Sequence, residues 1–122
     1  MDLLVLQATT VGADGSAAGT DTSANQVRGK VQAVYLDYHG SAPVTTDVTL
    51  AAANTPTENI LTITNNKTDA WYYPRKETVI NDGTATYLRE SVPYVIHDQL
   101  KLSVAQANAL TDCVTAYVFF ER

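Results

Sequence analysis

The chain has 122 residues, enough for one domain that buries roughly two-thirds of the surface its unfolded form exposes, so no disulfide or metal staple is required. Eight Lys and Arg stand against 13 Asp and Glu, a net charge of −5, and only Arg75 and Lys76 are adjacent. No basic stripe exists to neutralise nucleic-acid phosphates or anionic lipid headgroups, which argues against both partners. Charged residues make up only 17% of the chain, and Thr, Asn, Gln and Ser carry the polar load. Such a surface loses little charge hydration when it is buried against another protein.

The single cysteine, Cys113, has no partner for an internal disulfide, and a reducing compartment is expected. Met1-Asp2-Leu3-Leu4-Val5-Leu6-Gln7 lacks a basic leader, and its apolar run of four falls short of the roughly 7–15 residues of a secretory signal. No run approaches the ~20 apolar residues of a membrane span.

Taken in chain order, Leu3–Ala8 is a short apolar run with β character. Thr9 to Gln26 then holds Gly12, Gly15 and Gly19 among Ala, Ser, Thr, Asp and Asn, with one large apolar residue, Val11. Composition alone fits a disordered linker. The preceding Leu3, Leu4, Val5 and Leu6 need burial, which makes the segment the tether of an N-terminal arm. The expected organisation is therefore a strand and flexible arm over 1–26, and a β-sandwich domain over 27–122.

Val27–Tyr38 is a long strand with apolar residues on both faces: Val31, Ala33 and Tyr35 on one, Val34, Leu36 and Tyr38 on the other. A strand of that kind is covered on both sides or meets another subunit. Gly29 is a candidate bulge. Strands follow at Thr45–Ala52 and Asn59–Asn65, separated by Asn54-Thr55-Pro56. Asn66-Lys67-Thr68 matches a glycosylation sequon but reads as a turn. Asn81-Asp82-Gly83 suits a tight hairpin, with short strands at Thr84–Arg89 and Tyr94–His97 around Pro93. Leu100, Leu102 and Val104 alternate with Lys101 and Ser103, a half-buried strand; Ser103-x-x-Gln106 also matches a helix-capping box, so Val104–Leu110 could hold a helical turn. Cys113–Glu121 closes the series, again apolar on both faces. The fold class is all-β: an antiparallel, jelly-roll-like sandwich of about eight strands with an extended N-terminal arm.

No catalytic constellation emerges. Asp37 and His39 share a strand face and read as a strand-end salt bridge rather than the start of a metal site, which needs three or four ligands. Cys113 lies beside Val114 in an apolar strand, where a thiol is inert packing. The glycines show no phosphate-binding spacing. No cofactor is implied, and the chain is expected not to be an enzyme. The sharpest feature is Trp71-Tyr72-Tyr73-Pro74-Arg75. On a strand Trp71 and Tyr73 face together and Tyr72 opposes them. Core, protein interface and sugar-stacking platform all fit these aromatics. Interface candidates are Leu3, Leu4, Val5, Leu6, Trp71, Tyr72, Tyr73 and Arg75.

From Lys30 to Glu121 the order of segments is Val34-Tyr35-Leu36-Asp37-Tyr38-His39, Thr45-Thr46-Asp47-Val48-Thr49, Leu61-Thr62-Ile63-Thr64-Asn65, Trp71-Tyr72-Tyr73-Pro74-Arg75 and Leu100-Lys101-Leu102-Ser103-Val104-Ala105-Gln106. In style and order it resembles capsid decoration, or cement, proteins of tailed bacteriophages. The resemblance implies a structural virion component on the capsid exterior, assembled in the host cytoplasm. It also implies a trimer, with the major capsid protein as partner. A carbohydrate-binding sandwich of a tail or adhesion apparatus is the alternative.

Overall fold

Two strands with apolar side chains on both faces set the architecture. Val27–Tyr38 (β3) and Val114–Glu121 (β11) pair antiparallel, with Val118 opposite Val34, Ala116 opposite Leu36 and Val114 opposite Tyr38. These residues point inward and are buried. The computed structural model describes residues 1–54, 56–79, 83 and 86–122. The described residues form eleven strands, all paired antiparallel, and no helix. The remaining strands are Asp2–Ala8 (β1), Ala17–Thr22 (β2), Asp47–Ala52 (β4), Asn59–Ile63 (β5), Ala70–Tyr72 (β6), Lys76–Val79 (β7), Thr86–Val92 (β8), Val95–Asp98 (β9) and Leu100–Ala107 (β10).

One sheet runs β1-β11-β3-β6, with β9 also pairing β3; the other runs β2-β10-β4-β5. The strands β7 and β8 form a separate two-stranded sheet. Leu6, Val34, Leu36, Val114 and Val118 of the first sheet meet Val48, Leu50, Leu100, Leu102 and Val104 of the second in one core. The all-β, antiparallel sandwich expected from the strand pattern is what the chain forms. Asn81, Asp82, Thr84 and Ala85, in or beside the expected hairpin turn, and Thr55 of the expected break, lie outside the described residues.

Four expectations need correction. First, residues 1–26 are built into the sandwich and do not project as an arm. The strand β1 pairs along its length with β11, and β2 pairs with β10. Between them Val11 and Ala18 bridge, and Gly12 and Gly15, both at positive φ, close the turn. Most of this stretch is exposed, and at its few packed positions the space admits only small residues. A Cβ on Gly19 would sit 2.0 Å from the Thr9 carbonyl oxygen. Ala17 is wholly buried, and buried Thr10 donates its hydroxyl to the Asn108 carbonyl and its N–H to that of Leu110. Second, there are eleven described strands, not eight. The additions include β2, hidden by its small residues, and β7, which lacks a clean alternation. Third, Ser103 and Gln106 cap no helix. The strand β10 continues to Ala107 through an irregularity between Val104 and Ala107, where Gln106 takes φ 54°. Fourth, the bulge of β3 lies at Gln32, between Val31 and Ala33, and not at Gly29. Gly29 is instead a close approach: a Cβ there would lie 2.1 Å from the Glu121 carbonyl oxygen.

Deleting residues 1–26 removes buried Leu6, Ala8 and Ala17 and exposes the edges of β11 and β10. The expected outcome is loss of the cooperative unfolding transition in urea; a truncated chain that still unfolds cooperatively, near the full-length midpoint, would contradict this account.

Candidate functional site

The two outer faces of the sandwich differ in chemistry. On the β2-β10-β4-β5 sheet, register places Thr20, Ser103, Thr49 and Thr62 in one cross-strand row. Short polar side chains like these are ordinary for a solvated sheet face. On the β1-β11-β3-β6 sheet the corresponding row is Val5, Tyr117, Tyr35 and Trp71. Leu3, Phe119 and Ala33 form the row beside it, and Gln7, Thr115 and Asp37 the row on the other side. Leu3 and Val5 are 53% and 43% exposed, and Trp71 and Tyr73 are 51% and 63% exposed. Contiguous apolar surface of this kind is a candidate interaction site, unlike scattered surface hydrophobics.

The rings form one cluster. Trp71 lies 5.1 Å from Tyr35, tilted by 56°, and 5.5 Å from Phe119, tilted by 33°. Tyr35 is 6.3 Å from Tyr117, and Trp71 and Tyr73 are 6.4 Å apart with planes only 13° from parallel. Phe119 sits two strands away from Trp71, a distance of about 10 Å between backbones. The indole spans it because the residue opposite Phe119 on the intervening strand is the small Ala33. Tyr35, Trp71, Tyr117 and Phe119 line a shallow depression of about 290 Å³ with Asp37 at its margin. Arg75 lies on the opposite rim, where its Nη1 donates to the carbonyls of Gln32 and Pro74 at 3.2 and 2.8 Å.

Of the interface candidates, Leu3, Val5, Trp71 and Tyr73 come together on this face, with Arg75 at its border. Leu4, Leu6 and Tyr72 turn the other way. Leu6 is in the core, and Leu4 and Tyr72 pack against it. Period-two alternation divides the Leu3–Leu6 run between the two sides of the sheet, so these three present nothing to a partner. Tyr35, Tyr117 and Phe119 belong to the face and were not singled out. The signal for them was the apolar character of both faces of their strands.

A larger cleft of about 720 Å³ lies between the β3-β9 region and the loop after β4, lined by Gln26, Asn54, Glu58, His97 and Asp98 among others. Its carboxylates are already engaged. Asp98 accepts from Asn54 N–H at 2.9 Å, Asn54 Nδ2 at 2.7 Å and Gln99 N–H at 2.6 Å. Glu58 is paired with Lys76. Its acidic groups are therefore committed to holding the loop. His39 forms no pair with Asp37 among the described residues; its Nδ1 accepts the Ser41 N–H at 3.0 Å, so the expected strand-end salt bridge is replaced by a turn contact. Cys113 is buried, and burial pushes its thiol up, with the neighbouring Thr10 hydroxyl opposing. Tyr38 is buried too. Burial first, then the neighbouring Tyr72 and Asp69, push its phenol well above the usual range.

No protein-family model and no curated protein matches the chain. Among solved structures, mutants of the carbohydrate-binding module CBM29-2 align over 98% of this chain and 77% of theirs, at 11% identity and a TM-score of 0.36. A family 29 carbohydrate-binding module aligns at the same identity and TM-score, over 74% of its length. A likeness this loose carries no functional argument.

The hydrogen bonds from Asn54 hold the Asp98 carboxyl below its ordinary value. Its contribution to stability is present above the unfolded-state value, about 3.9, and disappears as pH falls through the lower folded-state value. Asp98→Asn is expected to lower the urea midpoint at pH 6, and the gap from the parent should close as the pH falls through the lowered folded-state value of the carboxyl. A gap that stays constant with pH would show that the carboxylate charge contributes nothing.

Proposed function

We propose that this protein is a non-enzymatic structural component of a tailed-phage particle that docks on the capsid shell through the aromatic face of the β1-β11-β3-β6 sheet. The observation that carries the reading is the unbroken row Val5-Tyr117-Tyr35-Trp71, flanked by Leu3, Phe119 and Tyr73. Trp and Tyr dominate the energetic centres of protein interfaces, with a polar rim around them. Asp37 and Gln7 at one end, and Gln32 and Arg75 at the other, supply that rim. The phage setting rests on the segment order described above, and with it go the major capsid protein as partner, self-association as a trimer, and a place on the capsid exterior.

Size also bears on the reading. Four strands about 4.8 Å apart and three rows of side chains give a face on the order of 400 Å². A standard interface buries about 800 Å² per partner. The face alone therefore anchors a larger or repeated contact. An icosahedral shell presents many equivalent sites, and linked copies gain avidity there without new contacts.

The second reading is carbohydrate binding. It is favoured by the near-parallel, exposed rings of Trp71 and Tyr73, which offer flat apolar surface to a sugar.

Co-sedimentation with phage heads assembled without this protein separates the two. Trp71→Ala and Tyr117→Ala should each reduce bound protein at least tenfold, the size of a typical interface hot spot, with the urea midpoint little changed. Parent protein that fails to sediment with heads, but is retarded by a neutral glucan in affinity electrophoresis, would transfer the face to the carbohydrate reading.

A further inference from the structure

Resting on the reading of this face as a protein-docking surface, we propose that the depression lined by Tyr35, Trp71, Tyr117, Phe119 and Asp37 is a cation-accepting pocket that receives an arginine side chain of the partner protein.

The argument is from the lining. Four aromatic side chains line the depression with one carboxylate at its margin, and among the described residues no cationic side chain lines it. The rings meet at tilts of 33° to 56°, so they form the walls of a shallow cup and not a flat plate. Aromatic faces carry negative potential and attract a guanidinium or ammonium within about 6 Å of the ring centre. Asp37 projects from the same face of β3 as Tyr35, two residues on, and stands opposite Thr115. It is exposed, and among the described residues its carboxylate enters no ion pair. A planar guanidinium can stack on a ring and bond a carboxylate at its edge at the same time, which a lysine ammonium cannot do. Arg75, at the opposite rim, is committed elsewhere, since it donates to the Gln32 and Pro74 carbonyls. The net charge of −5 adds a general attraction for a basic partner.

Charge also separates this pocket from a sugar platform. A neutral polyol would need several directed donors and acceptors around the rings, whereas the cup offers one carboxylate, the phenol hydroxyls of Tyr35 and Tyr117 and the Trp71 indole N–H. The carboxylate beside the ring faces is the feature that a cation uses and a neutral ligand does not require.

The test uses the full chain. Nα-acetyl-arginine methylamide is titrated while the Trp71 indole N–H and the tyrosine ring signals are followed by NMR. Its citrulline counterpart, a neutral urea of nearly the same shape, and a neutral gluco-oligosaccharide are titrated in parallel. The arginine probe should give saturable shifts that weaken with added salt, with the citrulline probe at least fivefold weaker. Asp37→Asn should cut the arginine affinity at least threefold and leave the urea midpoint unchanged. Equal binding of arginine and citrulline probes, an unaffected Asp37→Asn variant, or shifts with the oligosaccharide alone would each overturn the proposal. In the co-sedimentation assay, Asp37→Asn should weaken binding along with Trp71→Ala. If Trp71→Ala releases the protein from heads and Asp37→Asn does not, docking through the face stands and the arginine pocket falls. If neither variant matters, both readings fall.

Discussion

The ladder between β3 and β11 is the interaction on which the rest of the molecule depends. Eight residue pairs join the two strands, from Val114 opposite Tyr38 to Glu121 opposite Lys30. Each strand then carries its sheet outward: β11 takes β1 on its far edge, and β3 takes β6 and β9. The period-two geometry of a strand forces every residue to one face or the other. Val34, Leu36, Val114, Ala116 and Val118 go inward and close the core, and the same constraint sends Tyr35, Tyr117 and Phe119 outward. The aromatic face and the core are thus two products of one register. A one-residue slip would exchange them, and the buried valines would be replaced by tyrosines with nowhere to place their hydroxyls.

The same register explains which parts of the molecule were legible beforehand. Local alternation identified most strands and the opposition of Tyr72 to Trp71 and Tyr73, and the apolar neighbours of Cys113 pointed to its burial. It also marked the two strands apolar on both sides. What alternation could not supply is which strand lies beside which. Tyr35 and Tyr117 are 82 positions apart in the chain and directly opposite in the sheet, so their union with Trp71 depends on pairing between distant segments. The Leu3–Leu6 run was read as one apolar unit, although period two divides it into Leu3 and Val5 outside and Leu4 and Leu6 inside.

Small residues misled for a different reason. Low apolar content over 9–26 suggested a chain with no core to join. In the folded protein that segment crosses the corner where the two sheets adjoin; most of it is exposed, and at Thr10, Ala17 and Gly19 the space admits only small side chains. Gly19 faces the Thr9 carbonyl, and the Thr10 hydroxyl serves as a hub: it donates to the Asn108 carbonyl and accepts the Leu110 N–H at 3.0 Å. A composition that looks like a linker can equally be the signature of tight packing. Only knowledge of what lies across the gap distinguishes the two.

The carboxylate of Asp21, on the edge strand of one sheet, accepts the Gln7 N–H at 2.8 Å from the edge strand of the other. The open side of β1 is a row of backbone groups that could recruit a strand from another molecule, the first step toward fibres. Asp21 occupies one of those groups and sets a negative charge where an incoming strand would lie. Addition of strands end over end is therefore opposed at this border, while the neighbouring sheet surface stays open. That difference separates contact through a sheet face from uncontrolled polymerisation through sheet edges.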